Sequence, residues 1–182
     1  MRVIAGSAKG IILKQPALVT RPTMDRVRAA IFSILGERTP QAHVLDLFSG
    51  TGAMGIEALS RGAASATFVD NNSKCIEVIA DNLKKTRLEG KVTRMDALTY
   101  LSYRSKEKPF DLIFADPPYA DKEGNNLAAS LLKSPHLLSA MAPEALLILE
   151  CERKQLLPET PHLEVLTDRI YGVTRIIIMQ PK

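Results

Sequence analysis

The stretch Val44–Gly55, which reads VLDLFSGTGAMG, decides the fold of this chain. Its first residues are mostly apolar, as in a buried strand, and the apolar residues at its end follow a helical pattern. Between the two, Gly50 and Gly52 permit a tight turn that lets a ligand approach the backbone, and Gly55 lets the helix pack closely against a strand. The stretch therefore predicts a strand, a ligand-binding turn and a helix, in that order.

Strands and helices are expected to alternate outward from this unit. The apolar patterns predict strands at 44–48, 67–70, 91–95, 112–115 and 146–150, and helices at 53–61, 73–88, 97–104 and 125–140. Strands connected by helices of this length form a parallel sheet. The tail, with apolar runs at 163–169 and 173–180, predicts an antiparallel hairpin. We expect an α/β, Rossmann-like fold with a mostly parallel seven-stranded sheet.

Residues 1–36 precede this pattern and predict a small N-terminal extension, with residues 37–182 forming the main domain. Short apolar runs at 2–5 and 10–14 flank a glycine-containing turn, which indicates a β-hairpin. A helix with one apolar face follows and ends at Gly36. The extension is therefore expected to consist of a hairpin and a helix.

The positive charge of the chain is concentrated in that extension. The whole chain has 24 basic and 20 acidic side chains, a net charge of +4, whereas residues 1–35 contain six basic side chains and one acidic one, which gives +5. A basic segment on a nearly neutral body is typical of a contact with a nucleic-acid backbone, although a solvated surface can have the same composition. The candidate phosphate-binding residues are Lys9, Lys14, Arg21, Arg26 and Arg28.

The composition excludes several other classes of protein. With 46% hydrophobic and 24% charged residues, the 182-residue chain is neither disordered nor fibrous. No apolar run approaches the length of a membrane span, and the N-terminus has no signal-peptide pattern. Cys75 and Cys151 lack the spacing of metal ligands, and the three histidines are scattered singly. We therefore expect a cytoplasmic protein with no metal site and no membrane partner.

Asp70 adds a nucleoside contact to the glycine turn. It ends the strand that follows the first helix, where a carboxylate can accept both hydroxyls of a ribose. The glycine spacing also satisfies the dinucleotide fingerprint, so the turn by itself leaves the identity of the nucleoside open. A nicotinamide-dependent oxidoreductase therefore remains an alternative at this point.

The sequence Asp116-Pro117-Pro118-Tyr119 follows the fourth strand and points to a specific chemistry. Two consecutive prolines make the loop stiff, so it can aim an Asp116 oxygen and the Pro117 carbonyl at one planar NH₂ group. The exocyclic amine of a base is a poor nucleophile, and accepting both of its N–H bonds stabilises the positive charge that develops during attack. Tyr119 would stack on the base. The alternative is an ordinary proline-rich turn.

These residues resemble a known family. The Asp116 to Tyr119 sequence resembles motif IV of the S-adenosylmethionine-dependent amino-group methyltransferases, and Asp46 to Gly55 resembles their motif I. Three further stretches are similar to the RsmD family of 16S rRNA (guanine-N2) methyltransferases, namely Gly6 to Gly10, Thr20 to Arg28 and Tyr171 to Thr174. The resemblance runs nearly from end to end and implies the class I methyltransferase fold.

The resemblance implies S-adenosyl-L-methionine as the cofactor and assigns its contacts. Cofactor-binding residues would be Asp46, Phe48, Gly50, Thr51, Gly52, Asp70, Asn71, Asp96, Ala97 and, at the mouth of the pocket, Thr23. Asp96 would lie near the adenine amine or, on its residue type alone, cap the next helix. The catalytic loop would be Asp116, Pro117, Pro118 and Tyr119, with Asp116 orienting the amine and stabilising charge rather than titrating as a base.

The resemblance also implies the substrate, the N2 amine of a guanine in 16S rRNA, either naked or within the assembled small ribosomal subunit. An adenine-N6 methyltransferase acting on DNA or RNA is an alternative, because Asp-Pro-Pro-Tyr occurs there too. A non-catalytic RNA-binding module is a third class, and the low aromatic content argues against it.

Overall fold

The computed structural model describes residues 1–15, 22–104, 108–118 and 126–182, with side chains of the first helix from residue 25 onward. In these ranges the helices are Pro22–Leu35 (α1), Ala53–Ser60 (α2), Ser73–Thr86 (α3), Ala97–Tyr103 (α4), Leu127–Lys133 (α5) and Pro135–Ala140 (α6), with a 3-10 turn at Gly36–Arg38. The strands are His43–Leu47 (β1), Ser65–Asp70 (β2), Lys91–Arg94 (β3), Phe110–Ala115 (β4), Met141–Glu152 (β5), Leu163–Tyr171 (β6) and Thr174–Pro181 (β7). None of the helices in these ranges is both long and apolar enough to cross a membrane.

The strands form one sheet in the order β3-β2-β1-β4-β5-β7-β6. All neighbours from β3 to β5 are parallel, and β7 runs antiparallel between β5 and β6. The predicted α/β fold, with its mostly parallel seven-stranded sheet and antiparallel C-terminal hairpin, is confirmed. The strand order reverses between β1 and β4, and in open α/β sheets ligands bind in the crevice outside the carboxyl ends of the strands at such a point.

The region between 125 and 140 differs from the single helix that was predicted. The helix is divided at Ser134, whose ψ of 122° is extended, and Pro135 begins a second helix. A residue before proline is disfavoured in the helical region, and proline has no N–H for the preceding turn, which explains the break. β5 is also longer than predicted, because it begins at Met141, directly after α6.

The N-terminal hairpin forms a compact turn rather than two regular strands. A single antiparallel bridge joins Arg2 and Ile12. The Val3 amide donates to the Ile11 carbonyl at 3.0 Å, and the Gly10 amide donates to the Val3 carbonyl at 2.9 Å. Further hydrogen bonds form both within the segment and between it and the body of the protein.

Apolar side chains pack on both faces of the sheet. One face buries Val44, Phe114 and Ile148 beneath α1, α2 and α3, and the other buries Leu45, Ile113 and Leu147 beneath α4, α5 and α6. The N-terminal extension belongs to the first of these cores, to which it contributes Val3, Ala8, Leu13, Val27, Ile31, Phe32 and Leu35. The extension therefore shares its core with the main domain.

Candidate active site

A cavity of about 610 Å³ opens at the carboxyl ends of β1 to β4. Its volume is in the range of pockets that hold small molecules and cofactors. It is lined by Phe48, Gly50, Val69, Asp70, Asn71, Asn72, Cys75, Met95, Asp96, Ala97, Asp116, Pro117, Pro118 and Leu127. The glycine turn at Gly50 and the Asp-Pro-Pro loop at Asp116, which are 66 residues apart in the sequence, therefore form walls of the same cavity.

The glycine turn follows β1 and has an unusual backbone. Phe48, Gly50 and Gly52 all have positive φ, at 56°, 54° and 75°. Such a φ costs energy for a residue with a side chain, and strained residues of this kind cluster at ligand sites. At Gly55 a Cβ would lie 2.4 Å from the ring of Phe68 on β2. The prediction that Gly55 permits close packing of the helix against a strand is confirmed.

Asp70, at the end of β2, fixes the turn to the neighbouring strand. Its Oδ2 accepts the Gly50 amide at 2.9 Å, and its Oδ1 accepts the Asn72 amide at 2.8 Å. Each carboxylate oxygen keeps a second lone pair for a ligand hydroxyl. Cys75 lines the cavity beside it, and burial, followed by the charge of Asp70 and a hydrogen bond to it, raises the pKa of this thiol.

Asp96 and Ala97 lie at the start of α4 and line the cavity beyond β3. The Oδ1 of Asp96 accepts the Thr99 amide at 2.8 Å, so the expected helix cap is present. The carboxylate retains lone pairs that are not used by the cap, and its contact with an adenine amine stays a prediction.

Asp46 lies behind the glycine turn, where only 4% of its surface is exposed. Its Oδ2 accepts the Gly55 amide at 2.9 Å. Burial raises the pKa of Asp46 to about 7, the Gly55 hydrogen bond opposes this change, and the charge of Asp70 adds to it. Asp46, Thr51 and Gly52 lie behind the residues that line the cavity, and their predicted role in holding the cofactor stays a prediction.

Asp116, Pro117 and Pro118 form the opposite wall of the cavity. The exposed surface of Asp116 faces the cavity, where surrounding protein atoms displace bulk water. This desolvation, together with the charges of Glu150 and then Asp46, raises the pKa of Asp116 well above its ordinary value. Tyr119, Arg21 and the side chain of Thr23 lie outside the described residues.

Five residues of the cavity wall were not identified from the sequence: Val69, Asn72, Cys75, Met95 and Leu127. Val69, Asn72 and Met95 lie at or just beyond the ends of β2 and β3, so their position at strand ends was a usable signal. Cys75 lies in the first turn of α3. Leu127 comes from the start of α5 and reaches the site through helix packing, for which the sequence gives no comparable signal.

The basic residues of the N-terminal extension occupy different environments. Lys9 and Arg26 are exposed. Lys14 is also exposed, but its Nζ lies 2.5 Å from Oδ2 of Asp81. Arg28 is only 3% exposed, so the prediction that it contacts RNA directly is wrong. It lies four residues before Phe32 and seven before Leu35, which places it on the buried face of α1.

Arg28 belongs to a cluster that we call the Glu57 seam, made of the buried residues Arg28 and Glu57 and the partly exposed residues Asp25 and Arg61. Arg28 donates to Oδ1 of Asp25 at 2.9 Å, and its Nε lies 3.6 Å from Oε2 of Glu57. Arg61 donates to Oε1 of Glu57 at 2.8 Å. Burial lowers the pKa of Arg28, and the charges of Asp25 and Glu57 oppose this. Glu57 is fully buried and satisfied by two cations.

The Glu57 seam joins the N-terminal extension to α2. Oε2 and Oε1 of Glu57 accept the amides of Ile4 and Ala5, at 2.8 and 3.0 Å. Asn82 on α3 makes a similar connection, since its side chain bonds the amide and carbonyl of Lys14, at 2.7 and 3.0 Å, and the carbonyl of Thr51, at 3.0 Å. The extension is therefore tied to the helix after the glycine turn and to the turn itself.

In the part of the chain that the structure describes, no group of three or more His, Cys, Asp or Glu side chains is arranged to hold a metal ion.

Comparison with known sequences gives a family. The family model described as Conserved hypothetical protein 95 matches residues 1–180. YlbH of Bacillus subtilis (strain 168), which carries a provisional rRNA methyltransferase name, is 38% identical over 187 residues, with all of both chains covered. Ribosomal RNA small subunit methyltransferase D of Escherichia coli (strain K12) is 32% identical over 163 residues, which cover 88% of this chain and 79% of that protein.

Solved structures agree with the sequence comparison. The yhhF protein of Escherichia coli, provisionally titled a methyltransferase, superposes with a TM-score of 0.83 at 30% identity, covering 100% of this chain and 98% of that one. SMU.776, titled as a methyltransferase complexed with SAH, has a TM-score of 0.72 at 18% identity, which shows the shared fold alone, and the match covers 88% of this chain and 50% of that one. With the family model spanning nearly the whole chain, the protein belongs to the RsmD family of S-adenosylmethionine-dependent methyltransferases.

Proposed function

We propose that this protein transfers a methyl group from S-adenosyl-L-methionine to the exocyclic N2 amine of a specific guanine in 16S rRNA. The observation that carries the proposal is the shared cavity, in which the Asp116-Pro117-Pro118 wall faces the glycine turn and Asp70. The names of the family members support rRNA as the substrate. The choice of the guanine N2 position rests on the resemblance of the motifs.

The charge of the cavity wall favours this cofactor over a nicotinamide dinucleotide. Among the lining residues the charged side chains are Asp70, Asp96 and Asp116, all acidic. S-adenosylmethionine, when bound, supplies its methyl group on a positively charged sulfur, which acidic side chains in the wall would favour, whereas the pyrophosphate of a dinucleotide is negatively charged. Asp70 has lone pairs for the ribose, and Asp96 with Ala97 would meet the adenine. Asp46 and Gly52 would keep the turn in shape.

The role of the Asp-Pro-Pro loop is to prepare the target amine. An Asp116 oxygen and the Pro117 carbonyl would accept the two N–H bonds, which holds the amine in place and opposes delocalisation of its lone pair into the ring. The carboxylate also stabilises the positive charge that develops on nitrogen. Tyr119 would stack on the base. Because a paired base is unreachable inside a helix, the guanine would have to be unpaired or turned out of the stack.

The N-terminal extension would hold the RNA backbone. Lys9 and Arg26 are exposed and can reach phosphates, Lys14 would contribute after exchanging Asp81 for a phosphate, and Arg21 completes the proposed set. The Glu57 seam and Asn82 would keep this surface fixed relative to the glycine turn. We place the activity in the cytoplasm, on rRNA that is naked or assembled into the small subunit.

One assay tests the proposal. Tritiated S-adenosylmethionine is incubated with naked 16S rRNA, with assembled small subunits and with DNA, and the labelled product is digested and identified as nucleosides. We expect N2-methylguanosine from an RNA substrate and no label in DNA. Label in N6-methyladenosine would support the adenine methyltransferase alternative. Calorimetry in which NAD binds and S-adenosylhomocysteine does not would overturn the cofactor assignment.

A further inference from the structure

Four neighbouring strands each place one carboxyl group at the cavity end of the sheet. In the spatial order β2, β1, β4, β5, these residues are Asp70, Asp46, Asp116 and Glu150. The first three were identified from the sequence, whereas Glu150 was not. We call these four residues the carboxylate row.

The register of the sheet places Glu150 beside Asp116. Ala115 on β4 pairs with Leu149 on the parallel strand β5, so the residue that follows each of them lies at the same level. Neighbouring strands are about 4.8 Å apart, which puts the two carboxyl groups within direct electrostatic reach. Cys151, the next residue on β5, is fully buried. The chain therefore holds Glu150 at a fixed position beside the catalytic loop.

The same register places Glu150 and Asp116 on the face of the sheet that carries Asp46. Asp46 pairs with Phe114, and Phe114 pairs with Ile148. Asp116 and Glu150 come two residues after these partners, and side chains two residues apart in extended backbone point to the same side. Asp46 and Glu150 thus share one face, and Asp116, one residue beyond the end of β4, continues toward the same face if the chain stays extended.

The described surroundings give this group no compensating cation. Glu150 is half-buried, Thr174 on β7 partly opposes the rise in its pKa, and no ion pair joins a described lysine or arginine to Asp46, Asp116 or Glu150. Arg175, also on β7, forms an ion pair with Asp168 on β6. Burial raises the pKa of the Cys151 thiol, and the positive charge of Arg175 opposes this change. Like charges this close to one another in a desolvated site cannot all ionise at neutral pH.

We propose that Glu150 is a positioning residue that acts through Asp116, holding a proton in common with it and so deciding when Asp116 is free to accept an N–H bond of the target amine. The inference rests on the proposed function, in which Asp116 faces that amine. It adds to the site a residue that contacts neither the cofactor nor the base.

Asp116 and Glu150 also bear on the proton that is released after methyl transfer. Methyl transfer forms an N–C bond and breaks an S–C bond, whose electrons return to sulfur as a neutral thioether. The methylated nitrogen then carries one proton too many, and that proton leaves to the Asp116 carboxylate and from there to solvent, while Glu150 keeps the proton of the pair. Asp116 must be ionised to accept it, so activity is expected to fall as pH decreases and the pair becomes protonated.

The direction of the pKa changes agrees with this arrangement. Burial raises the pKa of both Asp116 and Glu150, and the charges of Glu150 and Asp46 add to the change at Asp116. Replacing Glu150 by glutamine removes one negative charge at nearly constant volume. The pKa of Asp116 then decreases, and Asp116 stays ionised to a lower pH.

The test is the pH dependence of kcat/KM for RNA at saturating S-adenosylmethionine. In the wild type we expect kcat/KM to fall as the pH is lowered, and we call this part of the profile the acid limb. Its midpoint should lie above the ordinary carboxyl range of about pH 4. Glu150→Gln should move this limb to lower pH by about one unit, the scale of coupling between adjacent carboxyl groups. Glu150→Asp, which keeps the charge, should retain the wild-type limb.

The matched control is Glu152→Gln, because Glu152 is exposed on the same strand, two residues further along, and its loss should leave the profile unchanged. An unmoved acid limb in folded Glu150→Gln protein would overturn the inference. A wild-type limb near pH 4 would overturn it even if that variant does not fold. In both cases methylation of guanine by the wild type would leave the proposed function intact, whereas absence of methylation would refute the proposed function itself.

Discussion

Two groups of acids in this protein have opposite surroundings. In the Glu57 seam, a fully buried carboxylate accepts two backbone amides and lies against Arg28 and Arg61. In the carboxylate row, Asp46, Asp116 and Glu150 have no ion pair with a described lysine or arginine. Burial raises the pKa of all three of these carboxyl groups.

The difference separates a structural role from a functional one. A buried charge that is paired and hydrogen-bonded within the protein holds elements together, and removing one partner is costly. Buried acids without a cation destabilise their own ionised form, which is sustained where a ligand or a reaction supplies positive charge. The cofactor sulfur and the reacting amine supply such charge at the row.

The largest expected effect is the loss of activity when the row loses Asp116. Asp116→Asn should reduce turnover by roughly 10² to 10⁴, the range for loss of a preorganised electrostatic group. Cofactor binding should remain, because the residue faces the amine. Single-turnover methylation and calorimetry with S-adenosylhomocysteine measure the two effects. Near-normal methylation by this variant would mean that the loop has only a structural role.

The next effect is the loss of stability when the seam loses Glu57. Glu57→Ala leaves Arg28 and the amides of Ile4 and Ala5 without this partner, so the free energy of unfolding should fall by about 3 to 5 kcal/mol. Denaturant unfolding followed by circular dichroism measures it. The control is Glu164→Ala on exposed β6. A loss no larger than in the control would show that the seam does not hold the extension in place.

A smaller effect, of opposite sign, is expected at Asp46. Its pKa is about 7 in the folded protein against 3.8 ordinarily, so the folded state binds more protons between these values and wild-type stability declines as pH rises through this window. Asp46→Asn has no such charge, so its stability relative to wild type should improve between pH 5 and 7.5, on the order of 2 to 3 kcal/mol.

Denaturant unfolding of the wild type and of Asp46→Asn at pH 5 and at pH 7.5 measures this change. A relative stability of Asp46→Asn that is the same at both, or that worsens with pH, would contradict the raised pKa. A lower affinity for the cofactor in the same variant would show that the unpaired charge is retained for function rather than stability.

The smallest effect concerns the surface around the seam. Lys9→Gln and Arg26→Gln should each reduce the salt slope of RNA binding by about 0.7 to 0.9, the contribution of one phosphate contact. Arg28→Gln should instead lower the melting temperature, because Arg28 is buried in the seam. Filter binding over a series of salt concentrations, with melting curves on the same proteins, tests both. A reduced slope in folded Arg28→Gln protein would contradict the distinction.

The order of elements and most of the site could be predicted because they depend on local pattern. The hydrophobic period and the positions of the glycines predicted β1, its turn and α2. The motif at Asp116 could be identified because its residues are consecutive in the sequence. The helix break at Pro135 also has a local cause, but it was not predicted because the apolar residues on both sides of it follow one helical pattern. Leu127 and Glu150 were missed because each reaches the site through packing or strand register between distant segments.

The sequence by itself determined the parallel α/β sheet, the glycine turn, the Asp-Pro-Pro loop and the family to which they belong. Only the tertiary structure decided what each charged residue does. Arg26 and Arg28 are two positions apart on one helix, yet one is exposed and the other is buried against Glu57. Composition counts both as +1, but burial and the nearest opposite charge decide whether a side chain stabilises the fold or meets a ligand.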